Sequence, residues 1–156
     1  MKSEIRERFE AEVLRDMVRK HPILAVEKGE AVFAKPKYAY HTANGLTRAI
    51  IDFIELNGGQ AERVTVTGRP YEVRGVGGRC VGVGWQKSHM TVGTADISAT
   101  IGGQSVKIEV KIGRDRQSEA QRRYQRNIER AGGLYYVARN FEDFVSWFNR
   151  TWSVEK

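Results

Sequence analysis

Asp96 and the triplet Glu109-Val110-Lys111 are the residues whose types and spacing could do chemistry. Between them stands Gly102-Gly103, and the stretches 94–101 and 104–111 on either side alternate apolar and polar residues. A two-residue glycine bend between alternating runs predicts a β-hairpin. Its register pairs Ile101 with Gln104 and Asp96 with Glu109, with the Cβ atoms of opposed residues about 4.5–5.5 Å apart. Ala95, Ile97, Ala99, Ile101, Val106, Ile108 and Val110 then share the core side, and Asp96, Lys107, Glu109 and Lys111 share the other. Like charges directly opposite destabilise a sheet, so this pair needs compensation. Two readings supply it. In one, a hard divalent cation such as Mg²⁺ takes both carboxylates, with water and a substrate phosphate completing its shell. Lys111 then holds an attacking water or stabilises phosphate charge. In the other, the face is solvated and Lys107 and Lys111 neutralise Glu109.

The segment after the hairpin bears on that choice. Arg122, Arg126 and Arg130 recur every four residues with Arg123 alongside, Arg114 and Arg116 precede them, and Gln121 borders the apolar face of the same helix. The stripe reads either as a phosphate-binding ridge beside the acids or as an ordinary wet helix face, since arginine is a good helix former. Residues 105–131 hold eight Lys/Arg against four acids, a balance of +4.

The elements that must position these groups follow from periodicity. Ile5, Phe9, Val13 and Met17 predict an amphipathic helix over 3–20, closed by His21-Pro22. Residues 29–40 read as a linker or extended strap. Asn44 is expected to cap a helix whose apolar face is Leu46, Ala49, Ile50, Phe53 and Ile54, stopped by Gly58-Gly59. Ala61 to Thr67 has strand character. The glycine-rich 68–93 holds Val81, Val83 and Trp85 at alternate positions, which fits a strand or hairpin within a loop. After the catalytic-looking hairpin come a helix over 118–131, a strand over 134–137, and a closing helix carrying Phe141, Phe144, Val145 and Phe148. No internal repeat is visible.

Composition bounds the class. The 156 residues suit one domain, with 40% hydrophobic residues and a formal charge of +7 from 26 Lys/Arg and 19 Asp/Glu; a core is within reach and a polyanionic partner is plausible. The one cysteine, Cys80, excludes an internal disulfide framework and multi-cysteine zinc sites. His21, His41 and His89 lie too far apart for a His-x-x-x-His pair. No apolar run approaches the roughly 20 residues of a membrane span, and the N-terminal residues do not read as a secretory signal. A soluble, cytoplasmic protein of a reducing compartment is expected.

Taken together, Gly93-Thr94-Ala95-Asp96-Ile97, Ile108-Glu109-Val110-Lys111, Gln117-Ser118-Glu119-Ala120-Gln121 and Ala131-Gly132-Gly133 resemble the virus-type replication-repair nucleases (VRR-NUC) of the PD-(D/E)xK superfamily, closest to stand-alone phage and mobile-element forms. The resemblance spans about 44–149. It implies an α/β domain over 44–150, with an α-β-β-β-α-β core and a mixed sheet flanked by helices, preceded by an extra N-terminal helix and linker (1–43) and followed by a tail (151–156). It also implies Mg²⁺- or Mn²⁺-dependent cleavage of DNA, with structure selectivity in replication, repair or recombination. Asp96 and Glu109 match the metal-binding acids, Val110 would lend its carbonyl to the metal, Lys111 matches the catalytic lysine, and Gln121 matches the family's helix glutamine. Arg48, Lys87, Arg114, Arg116, Arg122, Arg126 and Arg130 are the expected DNA contacts. The chain departs from the pattern twice. Ala95 stands where a proline is usual, and the first core helix has no acid before Asp52, with Arg48 near the place where a glutamate often supports a metal.

Other readings compete. A DNA-binding protein that retains the fold without cleaving is one, and a Holliday-junction-resolvase-like homodimer is another. The stretch Gly82 to Ser88 is similar to a phosphate-binding loop but lacks glycine before Lys87. Cys80 is expected to be a small buried residue rather than a nucleophile. His89 fits a plain loop histidine. Trp147 is expected to pack, with Trp85 and Trp152 free to stack on bases.

Overall fold

The computed structural model describes residues 3–65, 69–86 and 91–152. Helix α1 (Glu4–Lys20) is capped by Ser3, whose hydroxyl accepts the Arg6 N–H at 3.3 Å. Glu4 and Glu7 in its first turn and Arg19 and Lys20 in its last complement the helix dipole. His21 breaks the helix as a pre-proline residue should, but Pro22 at once starts a second one, α2 (Pro22–Lys28), because a proline's fixed φ suits a first helical position. A 3₁₀ turn at Glu30–Val32 follows. Residues 34–39 then form no regular element. Tyr38 donates to Asp52 Oδ2 at 2.6 Å and Tyr40 to Glu10 Oε1 at 3.3 Å, which straps the segment to its neighbours.

Helix α3 (Ala43–Leu56) starts two residues earlier than Asn44 would place it. Thr42 is the cap: its backbone is extended and its hydroxyl accepts the Gly45 N–H at 3.1 Å, while Asn44 accepts Arg63 at 2.7 Å. Strand β1 (Gln60–Arg63) is shorter than the expected 61–67, part of which lies outside the described residues. Strands β2 (Arg69–Arg74) and β3 (Cys80–Gln86) form a hairpin. Next come β4 (Ile97–Ile101), β5 (Gln104–Val110), α4 (Glu119–Arg130), β6 (Leu134–Ala138) and α5 (Phe141–Thr151).

Two sheets result. A four-stranded mixed sheet has the order β1-β4-β5-β6, and the β2–β3 hairpin makes a separate two-stranded sheet. β1, β4 and β5 are antiparallel, whereas β6 runs parallel to β5 because α4 carries the chain back between them. The β4–β5 register runs from Ile101↔Gln104 to Ile97↔Ile108, as the bend at Gly102-Gly103 predicts. Both glycines have positive φ, 57° and 78°, the conformation a tight hairpin turn demands.

One face of this sheet holds the core. Ile97, Ala99, Ile101, Val106, Ile108 and Val110 pack with α3 through Leu46, Ala49, Ile50, Phe53 and Ile54, and with α5 through Phe141, Phe144 and Phe148. From α1, Phe9 enters the same core, 4.9 Å from Phe141 and 5.8 Å from Phe53 between ring centroids. Burial of one such aromatic contributes about 1.5–3 kcal/mol. Residues before 43 are thus part of the packed unit. Trp152 packs too, 5.2 Å from Trp147 and 5.1 Å from Phe148. On the opposite face lies α4, with no fully buried residue of its own; its Tyr124 meets Tyr135 of β6 edge-on at 6.4 Å. Among the described residues no helix is long and apolar enough to cross a membrane.

Candidate functional site

Alternation along β5 puts Lys107 and Glu109 on the face away from the core, yet Glu109 is only 1% exposed. Parallel β6 beside it and α4 above it close that end of the face. Lys111, just past the strand, is 8% exposed, and its N–H donates to the Ala138 carbonyl at 2.9 Å. Two charged residues are therefore buried where a polar, wet face would ordinarily be. Such groups cost stability unless they are paired and hydrogen-bonded.

Their pairing is incomplete. Glu109 Oε1 accepts from Lys111 Nζ at 3.0 Å and from the Gln121 side-chain amide. Glu109 Oε2 is buried without a hydrogen-bond partner. Burial pushes the Glu109 carboxyl above the ordinary glutamate range; Lys111 opposes the shift and the charge of Asp96 adds to it. Burial alone would lower the Lys111 ammonium, but its contacts with Glu109 and with Asp115, 3.6 Å away, outweigh it and hold the ammonium above its usual range.

Asp96 stands one residue before β4, at the step that continues the register opposite Glu109. Its Oδ2 accepts the Val110 N–H at 2.8 Å and its carbonyl accepts the Val64 N–H at 2.8 Å. A side-chain oxygen thus takes the donor that a β4 carbonyl would take, which ends the ladder at Ile97 instead of at Thr94 as the alternation suggested. The Val110 carbonyl lies on that same edge, beyond the last β4 pair.

Gln121 is fixed from two sides. Its side-chain oxygen accepts the Ser118 N–H at 2.9 Å while the Ser118 hydroxyl accepts the Gln121 N–H at 3.2 Å, a complete capping box. The remaining amide donor goes to Glu109. Its place at the border of the α4 apolar face brings it to the acids, as the sequence pattern suggested.

The donor set fits a hard cation of the Mg²⁺ or Mn²⁺ type: two carboxylates and an edge carbonyl, all oxygen, with one buried carboxylate oxygen left unpartnered. Among the described residues no cluster of three or more His, Cys, Asp or Glu side chains converges, so water and substrate would have to complete the shell. Lys107 does not neutralise Glu109; its ammonium donates to Ser98 Oγ at 2.6 Å.

The basic residues divide. Arg114, Arg116, Arg122, Arg126 and Arg130 are exposed, on the loop before α4 and on its outer side. Arg122 donates to the Gln117 carbonyl at 2.9 Å and Arg130 to Asn127 at 3.3 Å. Arg48 lies elsewhere, across the sheet in a cleft between α1 and α3, 3.8 Å from Asp52 and stacked over Tyr38 at 5.5 Å. Lys87 and His89 lie outside the described residues, as does Ser88 of the phosphate-loop comparison. Cys80 is exposed, not buried, because its strand belongs to the outlying hairpin. Trp147 packs as expected, stacked on Tyr136 at 4.3 Å.

Sequence reasoning missed two neighbours of the acids. Asp115 contacts Lys111, and its carbonyl accepts Arg139 at 3.1 Å. Tyr135 occupies the acid-side face of β6, where its buried hydroxyl is raised by burial first and by Glu109 next. Alternation within 134–138 already separates Tyr135 from Leu134 and Tyr136; what it cannot supply is the identity of the strand beside it. No family model matches the sequence, and neither does any curated protein.

Proposed function

We propose that this chain is a divalent-cation-dependent deoxyribonuclease of the PD-(D/E)xK type, similar to the stand-alone VRR-NUC enzymes. The carrying observation is Glu109, a buried carboxylate with one oxygen held by Lys111 and Gln121 and the other left without a partner. The order α3-β1-β4-β5-α4-β6 around the mixed sheet supports the same reading, with β2–β3 as an insertion. Asp96, Glu109 and the Val110 carbonyl would hold Mg²⁺ or Mn²⁺. When bound, such an ion polarises a phosphate and acidifies a water.

The chain's own residues do the rest. Gln121 fixes the Glu109 carboxylate so that its free oxygen keeps one direction. Lys111, protonated and tethered to Asp115, orients a water or stabilises charge on the phosphate. The outer face of α4 grips backbone phosphates and carries no base information. Nicking of supercoiled plasmid with Mg²⁺ or Mn²⁺, wild type beside Glu109→Gln and Asp96→Ala, tests the proposal. Cleavage by wild type alone is expected; equal cleavage by all three removes it.

One observation favours a second reading, DNA binding without cleavage. The first acid of α3, Asp52, is engaged by Tyr38 at 2.6 Å in the α1–α3 cleft, so α3 adds no carboxylate to Asp96 and Glu109. Metal-independent binding with no nicking on any branched or linear substrate is the outcome that reading expects.

A further inference from the structure

From the β2–β3 ribbon, we infer an arm that docks in a groove of duplex DNA. This rests on the DNA half of the reading above and is independent of cleavage. The ribbon is a sheet of its own, hydrogen-bonded strand to strand and not to the four-stranded sheet. Two-stranded ribbons alone in water are marginal. This one nevertheless turns its apolar residues outward: Trp85 is 65% exposed, Val83 73%, and Val76 at the tip wholly so. An apolar surface of this kind marks a contact.

Shape and charge narrow the partner. Val81, Val83 and Trp85 alternate with Gly82 and Gly84 along β3, so the large apolar side chains of that strand stand on one side of the ribbon. The Tyr71 ring lies against Gly84, where any Cβ would collide with it. Gly84 thus makes room for its cross-strand partner Tyr71 on the other side of the ribbon. A two-stranded ribbon is what the major groove of B-DNA, about 12 Å wide, admits. Arg74 and Arg79 are exposed beside the bend, and the ribbon's acid, Glu72, is neutralised by Arg74 at 3.0 Å. An apolar residue at the tip flanked by arginine suits base edges and phosphates together. A second copy of the same ribbon would instead bring arginine against arginine.

Fluorescence anisotropy with a labelled duplex in EDTA, across a salt series, is the test, using the full chain and the double variant Arg74→Ala/Arg79→Ala. Both side chains are exposed, so the far-ultraviolet spectrum and melting temperature should not change. The variant is expected to bind about tenfold more weakly, with a log–log salt slope shallower by about 0.9 if Arg74 stays with Glu72 and by about 1.8 if both arginines reach phosphate. Trp85 emission should shift on duplex addition, and Trp85→Ala should remove that shift. Unchanged affinity and slope in the double variant overturn the arm while leaving the nuclease reading intact. Preference for single strands over duplex overturns groove docking, and a Trp85-dependent dimer in sedimentation assigns the ribbon to a second copy and overturns it also. If wild type binds no DNA at all, arm and nuclease fail together; binding with the expected slope change but no nicking in Mg²⁺ sinks only the nuclease.

Discussion

Two antiparallel hairpins, each turned by glycines, meet opposite fates in this molecule. The β4–β5 hairpin has one face sealed by α3 and α5 and the other closed at its end by α4, so its charged residues are drawn into the interior. The β2–β3 hairpin leaves Tyr71, Val81, Val83 and Trp85 exposed, and its ladder slips at Val73/Arg74. Burial makes the difference. In the first hairpin each side chain's direction is fixed by what covers it, which lets a carboxylate be aimed. The second keeps its side chains available to something outside.

The comparison breaks if the two hairpins respond alike to substitution. The largest separation should be in activity. Glu109→Gln is expected to abolish Mg²⁺-dependent nicking while anisotropy shows duplex binding retained, and Arg74→Ala/Arg79→Ala should do the reverse, weakening binding and leaving a measurable cleavage rate at saturating DNA. Stability should separate them next: by urea melts, Ile108→Ala is expected to cost about 2–5 kcal/mol, as for large-to-small changes in a core. Val83→Ala should stay within about 0.5 kcal/mol.

Gln121→Ala sharpens the picture of how the acid is aimed. With the fold preserved by circular dichroism, it is expected to lower Mn²⁺ affinity or nicking about 10–100-fold, the usual effect of removing an outer-shell partner. A pH effect follows from the raised Glu109 carboxyl. Between its ordinary value and its folded one, the native state binds more protons than the unfolded state, so stability falls as pH rises through that window. Glu109→Gln should flatten this part of a melting-temperature profile, and Mn²⁺ should raise the melting temperature of wild type more than that of the variant.

An effect smaller than that of the core substitution is remote from both hairpins. Arg6 pairs with Glu142 at 2.7 Å, and although burial opposes it, Arg6 and Ser3 hold the Glu142 carboxyl below its usual range. The contribution of this contact is present above the ordinary glutamate value and is lost as pH falls through the lowered one. At neutral pH, Arg6→Ala is expected to cost about 1 kcal/mol or less in a urea melt.

How much was legible in the sequence follows the same division. The β4–β5 register could be read from the bend back to Ile97, because a two-glycine bend and strict alternation leave one solution, but not where its ladder stops, which the Asp96 side chain decides; the apolar face of α3 was equally plain. Asp96, Glu109, Lys111 and Gln121 came together because the hairpin and one helical period suffice to bring them there. The cap of α3 was misplaced by two residues, since Thr42 and Asn44 are both good caps and only the extended backbone at 42 decides between them. α2 was not foreseen because a proline that ends one helix also begins the next. Arg48 went to another cleft because its helix was known but not the partner on its outer face. Cys80 was expected to be buried because cysteine usually is; the outlying position of its strand is a tertiary fact that no local pattern encodes.

Gln121 serves two structures with one amide, closing the first turn of α4 and restraining the Glu109 carboxylate. Replacement by glutamate would exchange its donor for an acceptor and set two acids against each other; replacement of Ser118 would slacken the turn and let the amide swing away. Positions 109, 118 and 121 are therefore expected to drift only in concert, so that a change at one selects for a matching change at the others.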